Sequence, residues 1–262
     1  MREETLSVEF APWERVRREA AEKGIPMVEH EIALVAEGVL PLRLERFAPT
    51  VGAEGVKRLM AARVGVFGCG AIGGAAAEVL ARCGVARFSL LDRDRFEETN
   101  LNRQIGALVD TLGRSKVDAL AERLAVVNPA ASVIRHEVRF DEGNAGRFFR
   151  DIDVAVDAFD NFRARRLLHE TALEKGVFLV SAQVAGFCGM VGVVCDGRDP
   201  FEPLWRGVDR GAESVAGISA AAAMAAGVFA AQLVLNRLLR AETHERVLFF
   251  DLETFDFRWL RT

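Results

Sequence analysis

Residues 63–74, RVGVFGCGAIGG, constrain the fold of this chain more than any other stretch. The first five are rich in Val and Phe and read as a buried parallel strand, with a glycine turn directly behind it and a helix expected over 75–83. That order places Gly68, Gly70 and Gly73 where absent side chains let the backbone approach phosphates at a helix N-terminus. Cys69, inside the turn, reads as a small packing residue. A second strand is expected over 86–91, and Asp92 stands at its end, 19 residues after Gly73, where an acid holds a ribose hydroxyl. An NAD-dependent oxidoreductase would carry the same glycines and acid, so these features define a nucleotide fold and leave the chemistry open.

Strands and helices continue to alternate, with helices over 116–127 and 163–175 and strands over 133–138, 152–156 and 177–180. Such alternation predicts a parallel sheet covered on both faces. Farther on, a strand over 190–194 has no helix before it, and 247–252 with 255–259 suggest a hairpin. The expected fold is therefore α/β: a Rossmann-like, doubly wound, mostly parallel sheet with antiparallel C-terminal strands and a small helical N-terminal extension. We expect the extension to occupy residues 1–42 and the main domain residues 43–262. Within the extension, helices over 13–22 and 28–37 flank Gly24, Ile25 and Pro26, and the second is amphipathic enough to lie on the main domain or on a dimer partner. A short helix over 53–62 leads into the first strand.

Three further clusters narrow the chemistry: NLNRQ at 100–104, GRSK at 113–116 and DAFDN at 157–161. Asn100, Arg103 and Gln104 bring a guanidinium and amides together just beyond Asp92, a set that suits an anionic ligand. Lys116 opens a helix, where a cation opposes the dipole unless an anion is bound beside it. Asp160 follows a strand at the carboxyl end of the sheet, and magnesium favours one or two carboxylates together with substrate phosphates. Asp157 is the better anchor for that loop. The competing reading for both acids is an N-cap for the helix that starts near Phe162.

With these clusters in this order, the chain resembles the ThiF/MoeB/HesA family of adenylyltransferases and, more distantly, the ubiquitin-activating enzymes, over about residues 43–257. The segment LRLERF at 42–47 is similar to the family's opening arginine motif, with Phe47 in place of its final glutamine. The resemblance implies ATP-dependent adenylation of the C-terminal glycine carboxylate of a ubiquitin-like sulfur-carrier protein ending in Gly-Gly, with release of pyrophosphate. It further implies that Asp92 holds the ATP ribose, Asn100 and Arg103 the phosphates, Lys116 the phosphates and the leaving group, and Asp160 magnesium, with Arg46 contributed by the partner chain of a homodimer. A carboxylate nucleophile is already ionised at neutral pH, so such a site needs cations rather than a general base.

The chain departs from the family at its cysteines. Cys69, Cys83, Cys188 and Cys195 are the only four, and DPFEPLW at 199–205 stands about where relatives place the first of two zinc-binding pairs. We therefore expect no structural zinc, assign no covalent role to Cys188 or Cys195, and look to a separate protein for sulfur. Scattered cysteines point to the cytoplasm, and a net charge of -4 argues against nucleic acid. Residues 214–236 carry no formal charge, yet they are mostly Ala and Gly, so a core or dimer-interface helix is expected rather than a membrane span. Two alternatives stay open beside the carrier adenylyltransferase: adenylation of a small-molecule or tRNA-attached carboxylate, and the oxidoreductase.

Overall fold

The computed structural model describes residues 9–206, 213–240 and 246–260. The chain opens with β1 (Glu9–Ala11), α1 (Trp13–Lys23), α2 (Met27–Ala36) and β2 (Val39–Pro41). The extension is thus not purely helical, because β1 and β2 pair in parallel from Glu9↔Val39 to Ala11↔Pro41. Strands of three residues are too short to show a period, which is why the sequence reads as helices alone. Its first eight residues lie outside the described ones.

The main sheet follows α3 (Ala48–Ala61), whose regular part begins after Gly52, where the backbone breaks at φ 69° and ψ 168°. Then come β3 (Arg63–Phe67), α4 (Ala71–Arg82), β4 (Arg87–Asp92), α5 (Lys116–Val127), β5 (Ser132–Glu137), β6 (Val154–Asp157), α6 (Phe162–Lys175), β7 (Phe178–Ala185), β8 (Cys188–Val194), the short α7 (Glu213–Ala216), α8 (Ala220–Leu238), β9 (Val247–Asp251) and β10 (Asp256–Leu260). The strand order is β10-β9-β8-β7-β6-β3-β4-β5. From β7 to β5 neighbours are parallel, and β8, β9 and β10 add antiparallel pairs. The expected mixed sheet is present, although β7 and β8 are longer than the sequence suggested and form a hairpin.

Alternation along the strands divides the core. Val64, Val66, Leu90, Val156 and Val180 turn to the face covered by α4, α5 and α8, while Phe67, Leu91, Ala155 and Leu179 turn to the face covered by α6 and Phe148 and Phe149. The uncharged stretch proves to be a core helix: α8 packs on α4, β7 and β8 and fully buries Ala222, Ala223, Ala226, Ala230 and Ala231. A Cβ on Gly227 would lie 2.7 Å from Ile72 O, so α8 meets α4 at backbone distance.

The extension sits at the opposite end of the sheet from the carboxyl ends of its strands. Val28, Met27 and Ile32 pack on Ala86 and Ala130, which precede β4 and β5, and Val35 and Leu40 pack with Val56 and Met60 of α3. Buried Glu31 receives both Nη1 and Nη2 of Arg43, at 2.5 and 2.7 Å.

Candidate active site

Strand order runs one way from β3 to β5 and the other way from β6 to β7, so the switch point lies between β3 and β6. Ligands bind open α/β sheets outside the carboxyl ends of the strands at such a point. A cavity of about 430 Å³ lies there, lined by Gly68 and Gly70 after β3, Asp92 at the end of β4, and Ala158 to Arg165 after β6.

The glycine turn is fixed by close approach. A Cβ on Gly73 would lie 1.8 Å from Gly68 O, and one on Gly68, at φ 96°, would lie 2.6 Å from Ala158 O. Gly70 caps α4 without any side-chain hydrogen bond, so the first N–H groups of that helix keep no side-chain acceptor. Asp92 grips the turn from below, its Oδ2 accepting from Cys69 N at 2.7 Å and its Oδ1 from Asp94 N at 2.9 Å. Each oxygen keeps a lone pair for the cavity. Burial pushes the Asp92 carboxyl above the usual range, against the pull of the backbone donors and Lys116. Burial likewise holds the Cys69 thiol well above its ordinary value, as expected of a packing residue and not of a nucleophile.

Lys116 stands at the first position of α5, largely buried, with Nζ 3.5 Å from Asp94 Oδ2. Arg103 lines the cavity while its Nη1 donates to Thr99 O and Asn102 Oδ1, both at 2.8 Å. Gln104 lines it too, close to Gly70, and its buried Oε1 has no hydrogen-bond partner. Asn100, by contrast, does not reach the wall. It is buried in the turn at 97–101, where its Oδ1 accepts from Glu97 N at 3.2 Å. Gly73 is likewise behind the wall, beneath Gly68. Arg46 is exposed just before α3 and does not line this cavity.

The loop after β6 divides its two acids. Asp160 is exposed on the cavity wall and makes no hydrogen bond or ion pair among the described residues. Neither acid caps α6, because Asn161 Oδ1 accepts from Ala164 N at 2.9 Å. Asp157 is fully buried beneath the loop: Ser181 Oγ donates to its Oδ2 at 2.7 Å, Arg165 Nε lies 3.4 Å away and His169 Nε2 3.1 Å away. The other His169 nitrogen, Nδ1, lies 2.7 Å from Asp199 Oδ2. Carboxylates only accept, so an imidazole between two of them donates from both nitrogens and is protonated. Burial alone would lower the pKa of His169, but Asp157 and Asp199 outweigh it and hold the ring above the ordinary histidine range. For Asp157 burial is likewise outweighed, by Arg165 first and then His169 and Ser181, and its pKa is depressed.

Asp199 thereby fastens the segment DPFEPLW. His169 packs on Trp205 at 4.8 Å, Trp205 stacks on Phe201 at 5.5 Å, and Arg166 Nη2 donates to Trp205 O at 3.0 Å. Sequence reasoning missed this network and the wall residues Arg139, Arg163, Arg165 and Gln183.

Fold and cleft together define a doubly wound α/β protein with a phosphate-type glycine turn at its switch point. Residues 43–262 match the ThiF family, and the chain belongs to that family. It is 37% identical over 145 residues to the sulfur carrier protein adenylyltransferase of Thermus thermophilus, covering 55% of this chain and 54% of that protein. It is 38% identical over 136 residues to the tRNA threonylcarbamoyladenosine dehydratase of Bacillus subtilis, covering 52% and 54%. The chain spans about half the length of the curated relatives it matches. In fold it is similar to E. coli MccB crystallised with ATP, at a TM-score of 0.72 and 18% identity, over 84% of this chain and 71% of that one.

Proposed function

We propose that this chain is an ATP-dependent adenylyltransferase that activates the C-terminal glycine carboxylate of a ubiquitin-like sulfur carrier and releases pyrophosphate. The observation that carries the reading is the single cavity wall on which an uncapped helix N-terminus, Lys116, Arg103 and a free carboxylate, Asp160, all meet. A hydride-transfer site has no need of that set. The relative from Thermus thermophilus supports the substrate class.

In this reading Asp92 accepts the ribose hydroxyls, and the backbone of Gly68 and Gly70 admits the phosphates against the start of α4. The free Gln104 Oε1 accepts from an N–H or O–H of the nucleotide or from an amide N–H of the incoming peptide end. Lys116 and Arg103 neutralise charge that develops on the leaving pyrophosphate, the dominant requirement when one anion attacks another. Asn100 acts through the turn it caps. The unpaired carboxylate of Asp160 fits a magnesium ligand, and the metal would supply charge neutralisation on the phosphates. Arg46 serves the neighbouring copy of a cytoplasmic homodimer. Residues 1–42 are a unit of their own, of which the described part braces the amino end of the sheet through Val28, Ile32, Val35 and Leu40.

Carrier-dependent exchange of labelled pyrophosphate into ATP, with carriers ending in Gly-Gly and matched versions lacking that ending, tests the proposal. Exchange that needs the intact terminus and is abolished by Arg103→Ala and Asp160→Ala, with folding intact, is the expected result. The relative from Bacillus subtilis favours a second reading, adenylation of an RNA-attached carboxylate. ATP binding without exchange on any carrier would turn the choice to it.

A further inference from the structure

Two buried donors in the cleft have no acceptor. Arg165, at 5% exposure, holds Asp157 with Nε and donates from Nη2 to Phe159 O, while its Nη1 is buried without a partner. The Nε2 of Gln183 is also buried without a partner. Both residues line the cavity. They stand on the same face of the sheet: Ser181 of β7 lies opposite Asp157 of β6 and bonds to it, and Gln183, two residues along the same strand, turns to the face on which Arg165 holds Asp157. Buried donors are rarely left unpaired, and each such vacancy costs free energy that a ligand oxygen would recover.

Which ligand oxygen this is follows from position and charge. The glycine turn, Asp92 and Lys116 occupy the β3–β4 side of the switch point, whereas Arg165 and Gln183 stand on the β6–β7 side. The Arg165 guanidinium is already matched by the Asp157 carboxylate, so its vacancy is a demand for a hydrogen bond in a fixed direction more than for a polyanion. Two directed donors one strand away from the nucleotide suit the oxygens of a carboxylate or of the peptide carbonyl before it. We propose that Arg165 Nη1 and Gln183 Nε2 form the acyl subsite, binding the carboxylate-bearing end of a peptide-like substrate and orienting it toward the nucleotide. This deepens the adenylyltransferase reading and rests on it. Asp157 and His169 are positioning residues in this scheme, because they set the Arg165 guanidinium and touch no substrate themselves.

The test uses the full chain, with Gln183→Leu, Gln183→Glu and Arg165→Lys, and N-acetylglycylglycine and its C-terminal amide as probes in the presence of ATP. Lost hydrogen bonds to a charged group predict that each variant binds the acid about 10- to 100-fold more weakly, with Gln183→Glu the weakest because it replaces the donor by a carboxylate that repels the anion. ATP affinity stays within about twofold, since a mutation that removes no nucleotide contact leaves its binding free energy nearly unchanged. In carrier-dependent exchange the same variants raise the KM for the carrier and leave that for ATP. ATP binding weakened as much as probe binding would overturn the proposal by assigning the donors to the nucleotide. So would unchanged probe binding in folded variants, or a wild type that does not prefer the acid to the amide. If Arg165→Lys fails to fold, the two Gln183 variants decide. Because the probes need no turnover, an absence of exchange with every carrier would sink the adenylation reading while the acyl subsite is still judged by binding.

Discussion

On the β3 and β4 side of the cleft the wall is shaped by a glycine turn that main-chain contacts hold, whereas on the β6 and β7 side it is shaped by side chains of α6 and β7 that a buried ionic network holds from behind. The first side gets its shape from glycines that admit no side chain and from one acid, Asp92, that grips two backbone N–H groups. The second depends on a chain of buried charges, Arg165 to Asp157 to His169 to Asp199. A site made of backbone tolerates no added volume but carries little electrostatic risk. A site made of buried charges fits any shape its side chains reach, yet each member is costly once its partner is gone.

The largest expected effect therefore falls on the charged side. Asp157→Ala leaves Arg165 and protonated His169 buried without their shared carboxylate, and removing one partner of such a set costs about 3–5 kcal/mol. Denaturant unfolding of the purified variant checks this. A loss below about 1 kcal/mol, the worth of an exposed pair, would mean that water reaches the network and that the contrast between the two sides is false.

A smaller effect is expected on the backbone side. Gly73→Ala puts a methyl group where Gly68 O stands, 1.8 Å away, and the turn has to shift. Overpacking of this kind costs about 1–3 kcal/mol in stability. If the turn holds the phosphates as proposed, a displacement near 1 Å there costs activity on the order of 100-fold. Titration with ATP beside a thermal melt separates the two. ATP binding lost well beyond what a melting temperature lower by several degrees accounts for is the signature of a site built from backbone, and the same drop with ATP binding kept would make Gly73 a packing residue of α4 alone.

The same contrast explains what could be read in the sequence. The glycine turn, Asp92, Lys116 and Asp160 were legible because each lies beside the end of a strand or the start of a helix, and their order along the chain fixes their places once the sheet is parallel. α8 was legible as a core helix from its charge-free run of alanines. Arg165 was not, because an arginine in a helix of mixed charge looks like any solvated residue, and only burial at 5% sets it apart. Nor could His169 or Asp199 be paired, being 30 residues apart with a strand hairpin between them. The three-residue strands of the extension lack any period, and nothing in NLNRQ shows that Asn100 Oδ1 is taken up by Glu97 N in the turn at 97–101.

The effect that most sharpens the comparison is a pH dependence confined to the charged side. His169 has its pKa raised above 6.5 in the folded protein. The native state therefore binds more protons than the unfolded state at and above that pH, and stability falls as pH rises. The contribution of the His169 pairs is fully present below about pH 6.5, where the ring is protonated in both states, and is lost as pH climbs through the raised value. Remote groups cancel if the wild type is compared with Asp199→Asn, which keeps the shape and removes one charge from the ring. The stability difference between them is expected to be about 1.5–3 kcal/mol near pH 6, the usual worth of a hydrogen bond between charged groups, and to shrink steadily toward pH 9. Urea unfolding at half-unit steps measures it. Asp157, the other acid on the ring, is held below its ordinary range, so a sloping difference above pH 6 belongs to His169. A flat difference would mean that the ring is neutral in the folded protein, that one carboxylate of the pair carries the proton instead, and that DPFEPLW is fastened by neutral hydrogen bonds much like those of the opposite side.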